Sequence, residues 1–155
     1  MGQEYRYVSE NTLKHVSLHD CDCAHLYYKE NRLVFEMEWM EVLKGHPLNP
    51  YEQAHQSGKG RIELLHPKLV ECTILKKDGE SLAINDIRVS DYSDIEFLEF
   101  EEVHTKENKD VYRADMYMIF YEYKGDHCYD SIALSVEYGK SIVMWDDLGD
   151  VSWFE

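Results

Sequence analysis

The chain predicts a mainly β protein: a single-domain antiparallel sheet, sandwich or partly open barrel built from hairpins, with at most one or two short helices. Three observations carry this expectation. Apolar and polar residues alternate through most of the C-terminal third, the period-two pattern of a half-buried strand. Turn signals at Glu30-Asn31, Asp78-Gly79 and Gly139-Lys140 separate the apolar runs. Around Glu30-Asn31, residues placed opposite each other fall on a common apolar face.

The elements follow in chain order. Residues 1–18 hold two alternatives: a short helix capped by Ser9 or Asn11 and running through Leu13 and Val16, or an edge strand begun by Tyr5 and Tyr7. Residues His19–Trp39 form a hairpin, with His19-Asp20 as the turn that leads into it. A two-residue loop at Glu30-Asn31, or a four-residue loop over 29–32, gives the same pairing. Tyr28 then faces Leu33, Leu26 faces Phe35 and Ala24 faces Met37, while Cys23 meets Glu38 and His25 meets Glu36 on the other side. Residues 43–60 read as a long loop, with two of the three prolines and three glycines. Loops longer than about 12–15 residues are usually functional or mobile, and His46 and His55 either serve a site or are solvated. Arg61–His66 is a short strand with Ile62 and Leu64 inward, ended by Pro67. Asp78-Gly79 joins the next pair, with Leu75 opposite Leu82 and Thr73 opposite Ile84. Over 94–103 the apolar residues fit either a strand with a bulge or a short helix, and 104–110 is a polar loop. Tyr112, Ala114, Met116, Met118 and Phe120 form one face; Cys128, Ile132, Leu134, Val136 and Tyr138 form the set opposite. Matching these faces requires an odd loop such as Lys124-Gly125-Asp126. Gly139-Lys140 suits a type II′ turn that sets Val136 against Val143 and Leu134 against Trp145. Trp153 and Phe154 are expected to tuck against the sheet. The total is roughly eight strands by this alternation.

Length and charge bound the function. A chain of 155 residues suffices for one domain that buries about 70% of its unfolded surface. The net charge of -15 repels phosphates and anionic lipid, so nucleic acid and membrane are not the expected partners. A basic protein partner is attracted from a distance, although the same acidity also serves plain solubility. No apolar run reaches the roughly 20 residues of a spanning helix, and the N-terminus lacks a signal-peptide apolar stretch. The expected location is the cytoplasm, with Cys21, Cys23, Cys72 and Cys128 as reduced thiols.

His19, Cys21, Cys23 and His25 recur at every second position, which puts them on one face of a strand. Thiolate and imidazole are zinc's preferred ligands, so this stripe is the alternative functional reading: a metal-binding or metal-dependent protein. Its spacing argues against a single metal. Same-face residues lie about 6.6 Å apart, so the outer pair spans about 20 Å on a flat strand. A turn at His19-Asp20 removes that objection, as does recruitment of His46, His55 or Glu36. A cysteine nucleophile beside a histidine, with Asp20 orienting the base, has no oxyanion motif to support it. No phosphate-binding glycine loop, nucleophile elbow or zinc-protease helix motif occurs. A non-enzymatic role is therefore the expected one.

The acidic concentration lies at Asp91, Asp94, Glu96, Glu99, Glu101 and Glu102, with no Lys or Arg between. These six are the candidate binding residues. Interleaved Ile95, Phe97, Leu98 and Phe100 would supply apolar anchors for a docked protein. One resemblance bears on the partner. The order Leu18-His19-Asp20-Cys21, a short strand, a polar turn and Leu33-x-Phe35-x-Met37 resembles small, acidic, β-rich uncharacterised bacterial proteins, including immunity proteins of polymorphic toxin systems. It covers residues 18–40 and carries no binding residue with it. It implies toxin neutralisation, in which an acidic surface occludes a basic protein.

Overall fold

The structure, a computed structural model, describes residues 5–76, 78–105, 110–120 and 130–155. Its strands are β1 (Tyr7–Glu10), β2 (Val16–Ser17), β3 (Asp22–Lys29), β4 (Arg32–Met37), β5 (Glu41–Val42), β6 (His55–Ser57) and β7 (Gly60–Leu65). They continue as β8 (Lys68–Leu75), β9 (Ser81–Ala83), β10 (Asp91–His104), β11 (Tyr112–Phe120), β12 (Ser131–Tyr138), β13 (Lys140–Trp145) and β14 (Leu148–Val151). Among the described residues, two single 3-10 turns, Leu13–His15 and Ile87–Val89, interrupt them. The mainly β class is as the sequence predicts, with more and shorter strands than the roughly eight expected.

Ten strands form one antiparallel sheet in the order β1-β13-β7-β4-β3-β10-β11-β12-β8-β9, and four form a second in the order β14-β6-β5-β2. The large sheet is folded by a bent two-stranded ribbon. β7 and β8 form one path with a corner at His66-Pro67; β12 and β13 form another with a corner at Gly139. The pairing continues through the corner: Trp145 with Gly60, Lys140 with Leu65, Glu137 with Lys68 and Ser131 with Leu75. His66 takes φ 54° and donates its N–H to Asn31 O at 3.0 Å, while Gly139 N–H reaches Leu65 O at 3.2 Å. Pro67 has no N–H to offer a ladder, so it fits where a strand changes neighbours. Past the corner β8 exchanges β4 for β9, and β13 exchanges β11 for β1. The sheet thus turns back over its own core without closing into a barrel.

That ribbon overturns the hairpin predicted at Gly139-Lys140. Val136 pairs with Ala114 and Leu69, and Val143 with Ser9 and Ile62, so neither meets the other. A glycine suits a strand corner as well as a tight turn, and alternation on either side is the same in both.

The hairpin β3–β4 closes through Glu30 and Asn31 at φ 50° and 62°, the two positive values a type I′ turn needs. Lys29, Tyr28, Leu26 and His25 meet Arg32, Leu33, Phe35 and Glu36 as predicted. A bulge at Ala24 then shifts the register, and Cys23 meets Met37 rather than Glu38. Leu26, Leu33, Phe35 and Met37 enter the core, where the Phe35 and Phe97 rings lie 5.9 Å apart. Truncating a buried aromatic such as Phe35 to alanine costs about 3–5 kcal/mol.

β8 and β9 pair one residue away from the predicted register: Leu75 meets Ser81, and Thr73 meets Ala83. The turn closes from Lys76 N–H to Glu80 O at 2.8 Å with Gly79 at φ 91°. It is therefore the longer, bulged connection rather than a two-residue turn. β11 and β12 pair Tyr112 with Tyr138, Ala114 with Val136 and Met116 with Leu134, the facing sets predicted. Cys128 and the turn predicted around Gly125 lie outside the described residues, as does most of the polar loop expected over 104–110.

The N-terminal segment takes the strand alternative: β1 is an edge strand on β13. In place of the helix through Leu13 and Val16 there is a single 3-10 turn over Leu13–His15 that neither Ser9 nor Asn11 caps, and Val16 opens β2. The stretch expected as a long loop contains β6 and begins β7. Its remaining turn is wound around Asn49, whose amide donates to Val42 O, Leu43 O and Gln53 O at 3.1 Å each. His46 is buried here, not solvated. Leu48 N–H donates to its Nδ1 at 3.0 Å, and Nε2 lies 2.9 Å from Thr12 Oγ1.

Candidate functional site

The acidic strand is β10, which resolves the choice over 94–103 in favour of a strand with a bulge. The bulge at Leu98 decides where each carboxylate goes. Before it, Phe97 faces inward with Met118; after it, Phe100 and Glu102 pair with the buried residues Met116 and Ala114. Glu96, Glu99 and Glu101 alternate with them on the outer side and pair with Ile119, Tyr117 and Asp115. One extra residue therefore keeps Glu99 and Glu101 outside and turns Glu102 in. There Glu102 accepts a hydrogen bond from the Tyr138 hydroxyl. Burial, and then the Glu102 carboxylate, push the Tyr138 hydroxyl pKa upward.

The six predicted binding residues are therefore not placed together as one set. Asp91 accepts a 2.5 Å hydrogen bond from His25 Nε2. Asp94, at φ 54°, lines a separate depression with Asp22, Glu38 and Trp39. Burial raises the Asp22 carboxyl pKa, and the nearby charges of Glu96 and Glu38 raise it further. Glu102 is a structural acceptor. Two of the predicted anchors are also unavailable, since Ile95 and Phe97 are fully buried.

What the structure does assemble is a groove of about 640 Å³ on the outer face of β10, β11 and β12. Glu99, Glu101, Asp115, Tyr117, Leu98 and His19 line it together with Ala133 and Ser135. The registers explain its shape. Glu99, Tyr117 and Ala133 form one row across three strands, and Glu101, Asp115, Ser135 and Glu71 form the next. The short side chains of Ala133 and Ser135 leave the floor low, while the long ones on β10 and β11 stand along it. Partial burial acts to raise the Asp115 carboxyl, but hydrogen bonds from Ser135 and the Arg113 guanidinium outweigh it and hold the pKa below its ordinary value. Arg113 Nε lies 2.9 Å from Asp115 Oδ1, whereas Glu99 and Glu101 make no ion pair among the described residues.

Asp115, Tyr117 and His19 escaped the reading of the acidic run because they lie on other strands. The alternation of Arg113, Asp115 and Tyr117 against the apolar face was the available signal. The tail also differs from expectation. Trp153 is 62% and Phe154 41% exposed, so neither tucks against the sheet. Their rings pack edge to face at 5.4 Å, and the Trp153 ring centroid lies 6.4 Å from that of His19.

The stripe His19, Cys21, Cys23 and His25 is divided by its backbone. Asp20 at φ 62° and the Cys21 N–H to Leu18 O bond form the predicted turn, and the Ala24 bulge follows. Both cysteines enter the core and both histidines face outward. His19 Nδ1 donates to Leu98 O at 2.5 Å, and the His25 ring packs 4.5 Å from that of Tyr27. His55 instead bonds Gly149 O, and Glu36 accepts from Tyr27 and Arg61. Among the described residues, no group of three His, Cys, Asp or Glu side chains is placed to hold a metal ion. Burial pushes the thiols of Cys21 and Cys23 up to about 12, which disfavours the free thiolate that a nucleophile requires. Iodoacetamide treatment of the native protein at pH 8, read by peptide mass mapping, is expected to leave both unmodified until denaturant is added. Rapid native labelling of either would contradict this burial.

Comparison with protein-family models, curated proteins and solved structures gives no match to this chain. Among the described residues, no helix is long and apolar enough to cross a membrane.

Proposed function

We propose that this protein is a non-enzymatic, cytoplasmic protein-binding domain, an immunity-type inhibitor that neutralises a basic partner through its acidic outer surface. The observation that carries the proposal is the groove holding Glu99, Glu101 and Asp115 on an open sheet face. The charge of -15 attracts a basic protein from a distance, and the groove gives that attraction a place to end. Apolar contacts with Tyr117 and Leu98 then contribute short-range affinity. The resemblance over residues 18–40 favours a toxin as the partner.

The test is stopped-flow association with the basic protein encoded by the adjacent reading frame. Raising salt from 25 to 500 mM is expected to slow association at least about tenfold. Glu99→Lys with Glu101→Lys is expected to slow it similarly at low salt. An association rate indifferent to both salt and charge reversal would overturn the proposal.

A further inference from the structure

The acidic groove is not the only exposed feature on this side of the molecule. The backbone that carries the neighbouring exposed aromatic pair is anchored by hydrogen bonds on both sides. Ser152 is 3% exposed; its N–H donates to Ala54 O at 2.9 Å, and its hydroxyl donates to the fully buried Glu41 at 2.5 Å. Glu155 N–H returns to Ser152 O at 3.1 Å and closes a turn over Trp153 and Phe154. Gln56 holds the second oxygen of Glu41 at 3.0 Å. The two aromatics therefore project from a pinned turn rather than from a loose end. His19 connects this turn to the groove, since it lines the groove and its ring neighbours Trp153.

An exposed indole on a pinned turn, one histidine away from a groove lined by carboxylates, is a specific chemical combination. A guanidinium is planar, weakly hydrated and always charged. It pairs with carboxylate oxygens along its edge and stacks its face on an aromatic ring. An ammonium can use the carboxylates but stacks less well. A second copy of this chain is a poor occupant, because each copy carries -15. We infer that the groove and the pinned Trp153-Phe154 turn together form a site for an arginine-bearing segment of a basic protein. Glu99 and Glu101 pair with its guanidinium groups while Trp153 stacks on one of them. This rests on the acidic-surface reading and narrows it to one side chain.

The test uses the full chain with labelled nona-arginine and nona-lysine peptides, matched in charge, at low salt. Nona-arginine is expected to bind about threefold to fivefold more tightly, the scale of a cation–π contact at an exposed ring. Trp153→Ala is expected to erase that preference and Trp153→Phe to restore part of it. Glu99→Gln with Glu101→Gln is expected to weaken both peptides. In NMR spectra, nona-arginine is expected to shift the Trp153 indole N–H together with the Glu99 and Glu101 amides. Equal binding of the two peptides, or a preference that survives Trp153→Ala, would overturn the arginine site while leaving the acidic surface standing. Indifference of both peptides to the double neutralisation would overturn the acidic surface as well. Circular dichroism verifies that each variant is folded.

Discussion

Gly60→Ala is expected to destabilise the protein by about 3 kcal/mol, the upper part of the range for forcing atoms into a packed interior. Gly60 lies in β7 between Met37 of β4 and Trp145 of β13. A Cβ there would stand 2.4 Å from Met40 Cε and 2.5 Å from the Met144 carbonyl oxygen. The methionine tip belongs to a fully buried side chain with little room to retreat. The carbonyl belongs to β13, so relieving the clash moves that strand against β7 and disturbs their ladder. Urea unfolding at neutral pH measures the loss. Gly58→Ala is the control: nothing lies within 4 Å of its added Cβ, and its expected effect is within about 0.5 kcal/mol. Equal stability of the two variants would show that β7 and β13 do not approach as closely as described.

Acid sensitivity centred on His46 is the second large effect. The ring is 2% exposed, with Trp145 edge-on at 5.0 Å and His15 at 6.5 Å. Leu48 N–H donates to Nδ1, so Nδ1 must be an acceptor and Nε2 the atom that carries the proton toward Thr12. Protonation would add a charge without water around it and set a second N–H against the Leu48 N–H. Burial, and then the neighbouring His15, lower the pKa from 6.5 to about 4. The folded value lies below the unfolded one, so the unfolded chain takes up the proton first as pH falls. The stabilisation is complete above about pH 6.5 and is lost progressively toward pH 4. Over that interval the linkage amounts to about 3 kcal/mol. Many carboxylates titrate in the same range. The measurement is therefore the difference between wild type and His46→Gln in urea stability at pH 7 and pH 4.5, with the His46 titration followed by NMR. A His46 that titrates near 6.5 in the folded protein would exclude the effect.

Local pairing was legible in the sequence, and distant pairing was not. Leu26 with Phe35 and Tyr28 with Leu33 could be read because a short loop fixes both the turn and the register. Met116 with Leu134 could be read from matching faces alone. Bulges were harder. At Leu98 the adjacent apolar Phe97 and Leu98 admitted a bulge without separating it from a helix, and Ala24 looks like an ordinary member of an alternating run, yet each moves everything beyond it to the opposite face. That is why Cys23 lies in the core and Glu102 beneath the sheet, while Glu99 and Glu101 remain outside as predicted. The corner at Gly139 had no local signature, because its partners arrive from β1 and β7. The groove needed Asp115 and Ala133 from neighbouring strands, so composition pointed to acidity without locating the site.

The bent ribbon also sets an order of events in synthesis. β1 is made before the other strands described, but among the described residues its partner in the large sheet is β13, more than 120 residues later in sequence. β7 obtains β4 early and waits for the same strand to complete its second side. Pairings this far apart in sequence carry a high closure cost and form late. Until β13 emerges, the nascent chain carries an unpaired β7 edge next to the apolar residues Ile62 and Leu64. Such an edge is a site for mispairing or chaperone capture. β1, made before its neighbours in this sheet, is among the last of them to find its place.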